Sequence, residues 1–214
     1  RAAFMYRRRE GGREVGLFRY IDEATFTALM DGFWRRARAR AGDEAAVRRE
    51  IRGVAETVFA AFGEPGGIDW LIDDTPINAL RLKEIFDVFP EARVVHVIRD
   101  GRQVALGHMR LGWCGSFQEG LHLWRSRVDA ARLVARHMGG FGGRYREVEF
   151  GRLAADPEGA FGELFAWLGL GFDPAFLEAA GFSRGRVNRY PITDYEDALF
   201  RALAADLVAE FGWP

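Results

Sequence analysis

The sequence predicts an α/β domain of three layers, with helices on both faces of a central parallel sheet. Three observations carry that prediction. Val94, Val95, Val97 and Ile98 make an apolar, β-branched run of strand length that stops abruptly in Arg99-Asp100-Gly101-Arg102; Val104, Ala105 and Met109 then recur at helical spacing. Trp70-Leu71-Ile72 reads as a second short strand, near 69–73, ending in Asp73-Asp74-Thr75, and Pro76 opens a helix behind it. Two strands joined through one helix imply a parallel pair with a right-handed crossover. A third strand, over 145–150, follows a long amphipathic helix.

The remaining elements follow in order. Residues 1–20 are basic and read as irregular. A helix is predicted over about 21–41, with Phe26, Met30, Phe33 and Trp34 on one face, and another over about 43–62, with Val47, Ile51, Val54 and Val58 inward. After Pro76, Leu80, Leu82, Ile85, Phe86 and Phe89 supply a helical apolar face. The helix over 116–137 turns Leu121, Trp124, Val128, Ala131 and Ala135 inward and stops at the glycines of 139–143. Pro157 starts a helix that ends at Gly169, and Asp173-Pro174 starts another that ends near Gly181. A basic, glycine-punctuated loop over 183–189 leads to a last helix over about 194–211. There are no repeats or low-complexity tracts, so residues 1–214 read as one domain, with 16–62 as a helical region beside the substrate cleft.

In an open α/β sheet the ligand sits at the C-terminal ends of the strands. Arg99 would stand there, and a planar, permanently charged guanidinium suits a phosphate or sulfate group. Asp73 and Asp74 would end a neighbouring strand. Either is placed to act as a general base, and Asp73 is equally placed to cap the helix that begins at Pro76. His108 has an ordinary pKa near neutrality and is a third candidate base.

At this point the chain resembles a known family. Trp70-x-x-Asp73-x-Thr75-Pro76-x-Asn78, then Phe89-Pro90-x-Ala92-Arg93, then the strand ending in Arg99-Asp100-Gly101-Arg102, look like the central block of sulfotransferases, closest to bacterial and tyrosylprotein-type members. The later run Tyr145-Arg146-Glu147-Val148-Glu149-Phe150, Asp156-Pro157-Glu158 and Phe165-Ala166-Trp167-Leu168-Gly169-Leu170 is similar to the family's next conserved stretch, and Trp124 lies in the helix between. The resemblance implies a P-loop-NTPase-like fold and a co-substrate, 3′-phosphoadenosine 5′-phosphosulfate (PAPS), with no metal. It places Arg99 on the donor's 3′-phosphate, Phe150 near the adenine, and Arg184, Arg186 and Arg189 in a late loop over the same phosphate. It also puts Gly107 where relatives carry a phosphate-binding Ser, so that a hydroxyl restored there would find an acceptor. Asp74 stands where many relatives have a Lys. The implied reaction is sulfuryl transfer to a hydroxyl or amine of a small molecule, a sugar or a tyrosine.

One family element has no match. No stretch resembles the glycine-rich loop that cradles the donor's 5′-phosphate; Gly63-Glu64-Pro65-Gly66-Gly67 lacks the Ser/Thr pair. Either the loop lies upstream of Arg1, as the absent initiator Met favours, or the protein does not bind PAPS in the usual way. The alternatives are therefore a non-catalytic or divergent phosphonucleotide-binding relative, or a small-molecule kinase on a similar fold. A kinase would need a Gly-x-x-x-x-Gly-Lys-Ser/Thr loop, and none is present.

Bulk properties narrow the rest. A net charge of −1 argues against a general nucleic-acid binder. No apolar run is long enough to cross a bilayer, and the start of the chain lacks a signal-peptide core. The single Cys114 excludes an internal disulfide framework and fits a cytoplasmic protein. The four His are scattered at 96, 108, 122 and 137, without metal-ligand spacing. Residues 1–52 hold 13 Arg against 8 acids, a surplus that either attracts an anionic acceptor or marks solvated helix faces.

Overall fold

The structure is a computed structural model that describes residues 8–10, 13–61, 70–182 and 189–214. The chain divides into two units, Arg1–Pro76 with Lys83–Glu91, and Ile77–Leu82 with Ala92–Pro214.

In the first unit, β1 (Arg8–Glu10) pairs antiparallel with β2 (Arg13–Val15), Arg8 opposite Val15. Residues 8–10 and 13–15 therefore form a short antiparallel pair where the sequence reads as irregular. Helices α1 (Glu23–Ala39) and α2 (Glu44–Ala60) fall where the 3.6-residue pattern puts them. Each starts on an aspartate: Asp22 accepts from the Thr25 N–H and Asp43 from the Ala46 N–H, satisfying donors that a helix start leaves open. Across the pair, Arg36 and Arg40 meet Glu50 at 2.6 and 2.9 Å. Phe26 is buried, but Trp34 is 51% exposed, so the predicted apolar face is narrower than its residues allow.

Two expectations are corrected between residues 70 and 88. The predicted strand near 69–73 is not seen: residues 70–75 have no regular structure, and Trp70 and Ile72 are 50% and 89% exposed. Three apolar residues do not make a strand without a pairing neighbour. The Asp73 carboxylate instead folds back, accepting from the Thr75 N–H (3.0 Å) and hydroxyl (2.6 Å) in a tight local turn. The helix behind Pro76 is also broken. A 3-10 turn, Pro76–Leu80, closes through the Arg81 N–H on the Asn78 carbonyl, and α3 (Leu82–Val88) starts afresh.

In the second unit, β3 (Val94–Ile98) and β4 (Tyr145–Glu149) form a parallel pair, Val94 opposite Tyr145 and Ile98 opposite Glu149. The architecture among the described residues is thus mixed helix and sheet around a small parallel sheet, with the pairing between 94–98 and 145–149 rather than between 69–73 and 93–98. Helices α4 (Gly101–Arg110) and α5 (Phe117–His137) connect the two strands. All five predicted inward residues of α5, from Leu121 to Ala135, are buried. Gly120 lets α4 come close: a Cβ there would lie 2.9 Å from Cα of Ala105. After β4 come α6 (Phe150–Ala155), α7 (Pro157–Leu168), α8 (Ala175–Ala179) and α9 (Asp194–Phe211). Phe150 therefore opens a helix, with Glu149 accepting from the Arg152 N–H, instead of ending a strand.

The core of this unit gathers Ile98, Ala105, Leu121, Trp124, Val128, Phe200, Leu207 and Trp213 from β3, α4, α5 and the C-terminal segment. Beside it runs a polar chain. His96 Nδ1 lies 2.6 Å from the Tyr145 hydroxyl, which donates to Glu147 at 2.8 Å; Arg132 then bridges Glu147 (2.7 Å) and Glu210 (2.8 Å). Burial pushes the Glu147 carboxyl up, but hydrogen bonds from His96, Arg132 and Tyr145 outweigh it and hold its pKa at about 2. No described helix is long and apolar enough to cross a membrane.

Candidate functional site

Strand β3 delivers its last apolar side chain, Ile98, into the core at 1% exposure, and the next four residues do different jobs. Asp100 caps α4 by accepting from the Arg102 N–H at 2.9 Å. Gly101 lies under the indole of Trp124. Arg102 is buried, 6% exposed, and its guanidinium donates to Asp100 (2.7 Å) and to Asp197, with the Phe200 ring 4.8 Å beneath it. The hydrogen bonds to Asp100 lead in raising its pKa, so it stays charged and fully engaged. Arg102 ties α4 to α9; it is a structural cation.

Arg99 is placed differently. It is half-buried, and its guanidinium sits 5.0 Å from the centroid of Phe150. The cation stands at the C-terminal end of β3, beside the start of a ten-residue helix whose N-terminal dipole also favours negative charge. The structure thus brings together Arg99 and Phe150, two of the residues the sequence singled out. The arrangement suits an anion carried on an aromatic or apolar body.

Gly107 and His108 lie two turns along α4. A Cβ at Gly107 would be 3.8 Å from Cε2 of Tyr190, so the face where the sequence expects a phosphate carries the edge of a tyrosine ring. His108 is half-buried against Trp113, with ring centroids 5.2 Å apart. Burial, with Arg127 nearby, lowers its pKa, so it is neutral at neutral pH. Its Nδ1 is buried without a hydrogen-bond partner among the described residues, which leaves Nε2 as the nitrogen for any proton transfer.

Asp73 and Asp74 belong to the first unit. Asp73 is engaged with Thr75 in a local turn ahead of the Pro76–Leu80 helix, and Asp74 is exposed. Arg184 and Arg186 lie outside the described residues. Arg189 is exposed and immediately precedes Tyr190, whose backbone is held by Gln103 of α4. Sequence reasoning missed Gln103, Arg110 and Tyr190. The only available signal was that 103, 107 and 110 share one helical face. Among the described residues, no group of three or more His, Cys, Asp or Glu could hold a metal ion.

Compared with known families, residues 4–174 match the model of the sulfotransferase family. A search of curated proteins finds no match.

Proposed function

The chain belongs to the sulfotransferase family, and from that premise we propose that it transfers a sulfuryl group from PAPS to a hydroxyl or amine of a small-molecule or glycan acceptor. The observation that supports this reading is the place of Arg99: its guanidinium stands at the C-terminal end of β3 over the Phe150 ring, beside the start of the helix that Asp100 caps. Those residues fit the donor's 3′-phosphate with its adenosine body alongside. PAPS would supply the sulfuryl group. The acceptor oxygen or nitrogen bonds to sulfur as the bond from sulfur to the donor's phosphate oxygen breaks; the acceptor's proton passes to a base and 3′-phosphoadenosine 5′-phosphate departs. His108, neutral and able to accept a proton at Nε2, is the proposed base. The single Cys114 fits a cytoplasmic enzyme.

A second reading, a non-catalytic phosphonucleotide-binding relative, is favoured by two observations: Asp74 is a carboxylate where relatives carry a Lys, and Gly107 has no hydroxyl. Calorimetric titration with 3′-phosphoadenosine 5′-phosphate, paired with incubation in labelled PAPS and hydroxyl and amine acceptors, separates them. Saturable binding with transfer supports the enzyme, binding without transfer supports the second reading, and no binding removes both.

A further inference from the structure

Three positions on α4 hold one residue. Gln103 Nε2 donates to the Tyr190 carbonyl at 3.1 Å, and the Tyr190 N–H donates back to Gln103 Oε1 at 2.6 Å. The carboxamide thus makes both halves of a backbone pairing, like one rung of a sheet built from a side chain. One turn on, Gly107 leaves room for the Tyr190 ring, 3.8 Å from where its Cβ would be. One turn further, the Arg110 guanidinium lies over that ring at 4.5 Å from the centroid. Positions 103, 107 and 110 are spaced by four and three, a single stripe of the helix.

The residue in front of the clamp is Arg189, whose Cα is about 3.8 Å from that of Tyr190. The clamp itself lies four residues after Arg99, in the first turns of the helix that Asp100 caps. We infer that Gln103 is a positioning residue that fixes the backbone at Tyr190 so that Arg189 is directed to the anion held by Arg99. This rests on the reading of that anion as the donor's 3′-phosphate. Arg189 is exposed and makes no ion pair among the described residues, so holding it costs no existing interaction there. An arginine on a free loop would lose much of its binding gain to ordering; one held by two backbone hydrogen bonds at its neighbour loses less.

The test is a two-by-two titration with 3′-phosphoadenosine 5′-phosphate on wild type, Gln103→Ala, Arg189→Ala and the double variant. Gln103→Ala keeps a good helix former at a half-buried site, so the fold is retained. It is expected to weaken binding about tenfold, and the double variant is expected to be no weaker than Arg189→Ala alone. Gln103→Glu keeps the 2.6 Å acceptor but sets a carboxylate oxygen against the Tyr190 carbonyl and adds a negative charge, so it should bind no better than Gln103→Ala. A merely structural role would give losses that multiply in the double variant, and that result, or unchanged affinity in Gln103→Ala, overturns the inference while leaving the sulfotransferase reading intact. Failure of the wild type to bind removes that reading and the inference with it.

Discussion

The six-membered ring of Trp124 lies on the backbone of Gly101, so close that a Cβ added to Gly101 would sit 2.6 Å from Cε3 and 2.7 Å from Cζ3 of the indole. Trp124 is 5% exposed and packs in turn against Phe200 and Trp213, with centroids 5.8 and 6.1 Å away. The glycine of the Arg-Asp-Gly-Arg turn is therefore a core position. It lets the strand end and the first turn of α4 settle on a buried tryptophan of the core, and so sets where Arg99 emerges.

Gly101→Ala should consequently destabilise the protein. The ring cannot move without pushing on Phe200 or Trp213, and overpacking of this kind costs about 1–3 kcal/mol. The helix-propensity gain of alanine over glycine is at most about 1 kcal/mol and is smaller at a first-turn position. The net effect should lower Tm by a few degrees, read by calorimetry. An unchanged Tm would show that Trp124 is free to shift.

Arg99→Ala should weaken 3′-phosphoadenosine 5′-phosphate binding by about 2–4 kcal/mol, because an anion would be left without its charge-assisted partner. Arg99→Lys should restore only part of this. An ammonium supplies charge, but it has neither the planar fork for a phosphate nor the flat face that sits over Phe150. Isothermal titration checks both variants, and equal affinity of Arg99→Ala and wild type would sink the assignment.

How much of this was legible in advance depends on how local each feature is. The inward face of α5 was readable because Leu121, Trp124, Val128, Ala131 and Ala135 repeat at a period that only a helix satisfies, and every one is buried. The strand ending at Ile98 was readable from its β-branched run. Trp70-Leu71-Ile72 was misleading for the converse reason: a strand is made by its neighbour, and three apolar residues carry no information about whether one exists. In the site, the sequence chose Arg99 from its place at the strand end and from the resemblance; what engages Arg102 instead, Asp197, lies 95 positions from it and could not be read locally. The clamp on Tyr190 joins residues 87 positions apart through a glutamine with no distinctive neighbours, and no local pattern announces it.

Gly107→Ser is a sharper test of what covers that face. The added Cβ would meet Tyr190 at 3.8 Å, an ordinary contact, so the substitution should fit without moving the ring. In a helix interior, serine is favoured over glycine by about 0.5 kcal/mol, which predicts a Tm higher by roughly 1–2 °C. Nucleotide affinity should change by less than about twofold, since the hydroxyl would face the tyrosine edge rather than an anion. Clear tightening would mean that Tyr190 leaves this face when nucleotide binds.

The last expectation concerns acid. Glu147 is held at about 2, against an ordinary value of 4.5, because His96, Arg132 and Tyr145 all favour its ionised form despite its burial. A carboxyl whose pKa is depressed by folding contributes stability that is fully present above its unfolded pKa. That contribution is lost as pH falls from about 4.5 through about 2. The shift corresponds to a contribution on the order of 3 kcal/mol at neutral pH, for a side chain only 26% exposed. Glu147→Gln removes the charge while keeping the shape, and leaves Arg132 with Glu210 as its remaining anion. Urea denaturation of both proteins at several pH values gives the difference, in which the other titrating acids largely cancel. The gap should be widest near neutrality and should close progressively below pH 4.5 as Glu147 takes up its proton. A gap that stays constant from neutrality down to about pH 2 would mean that Glu147 contributes by shape and hydrogen bonding alone, and that the chain from His96 to Glu210 is not held together by its charge.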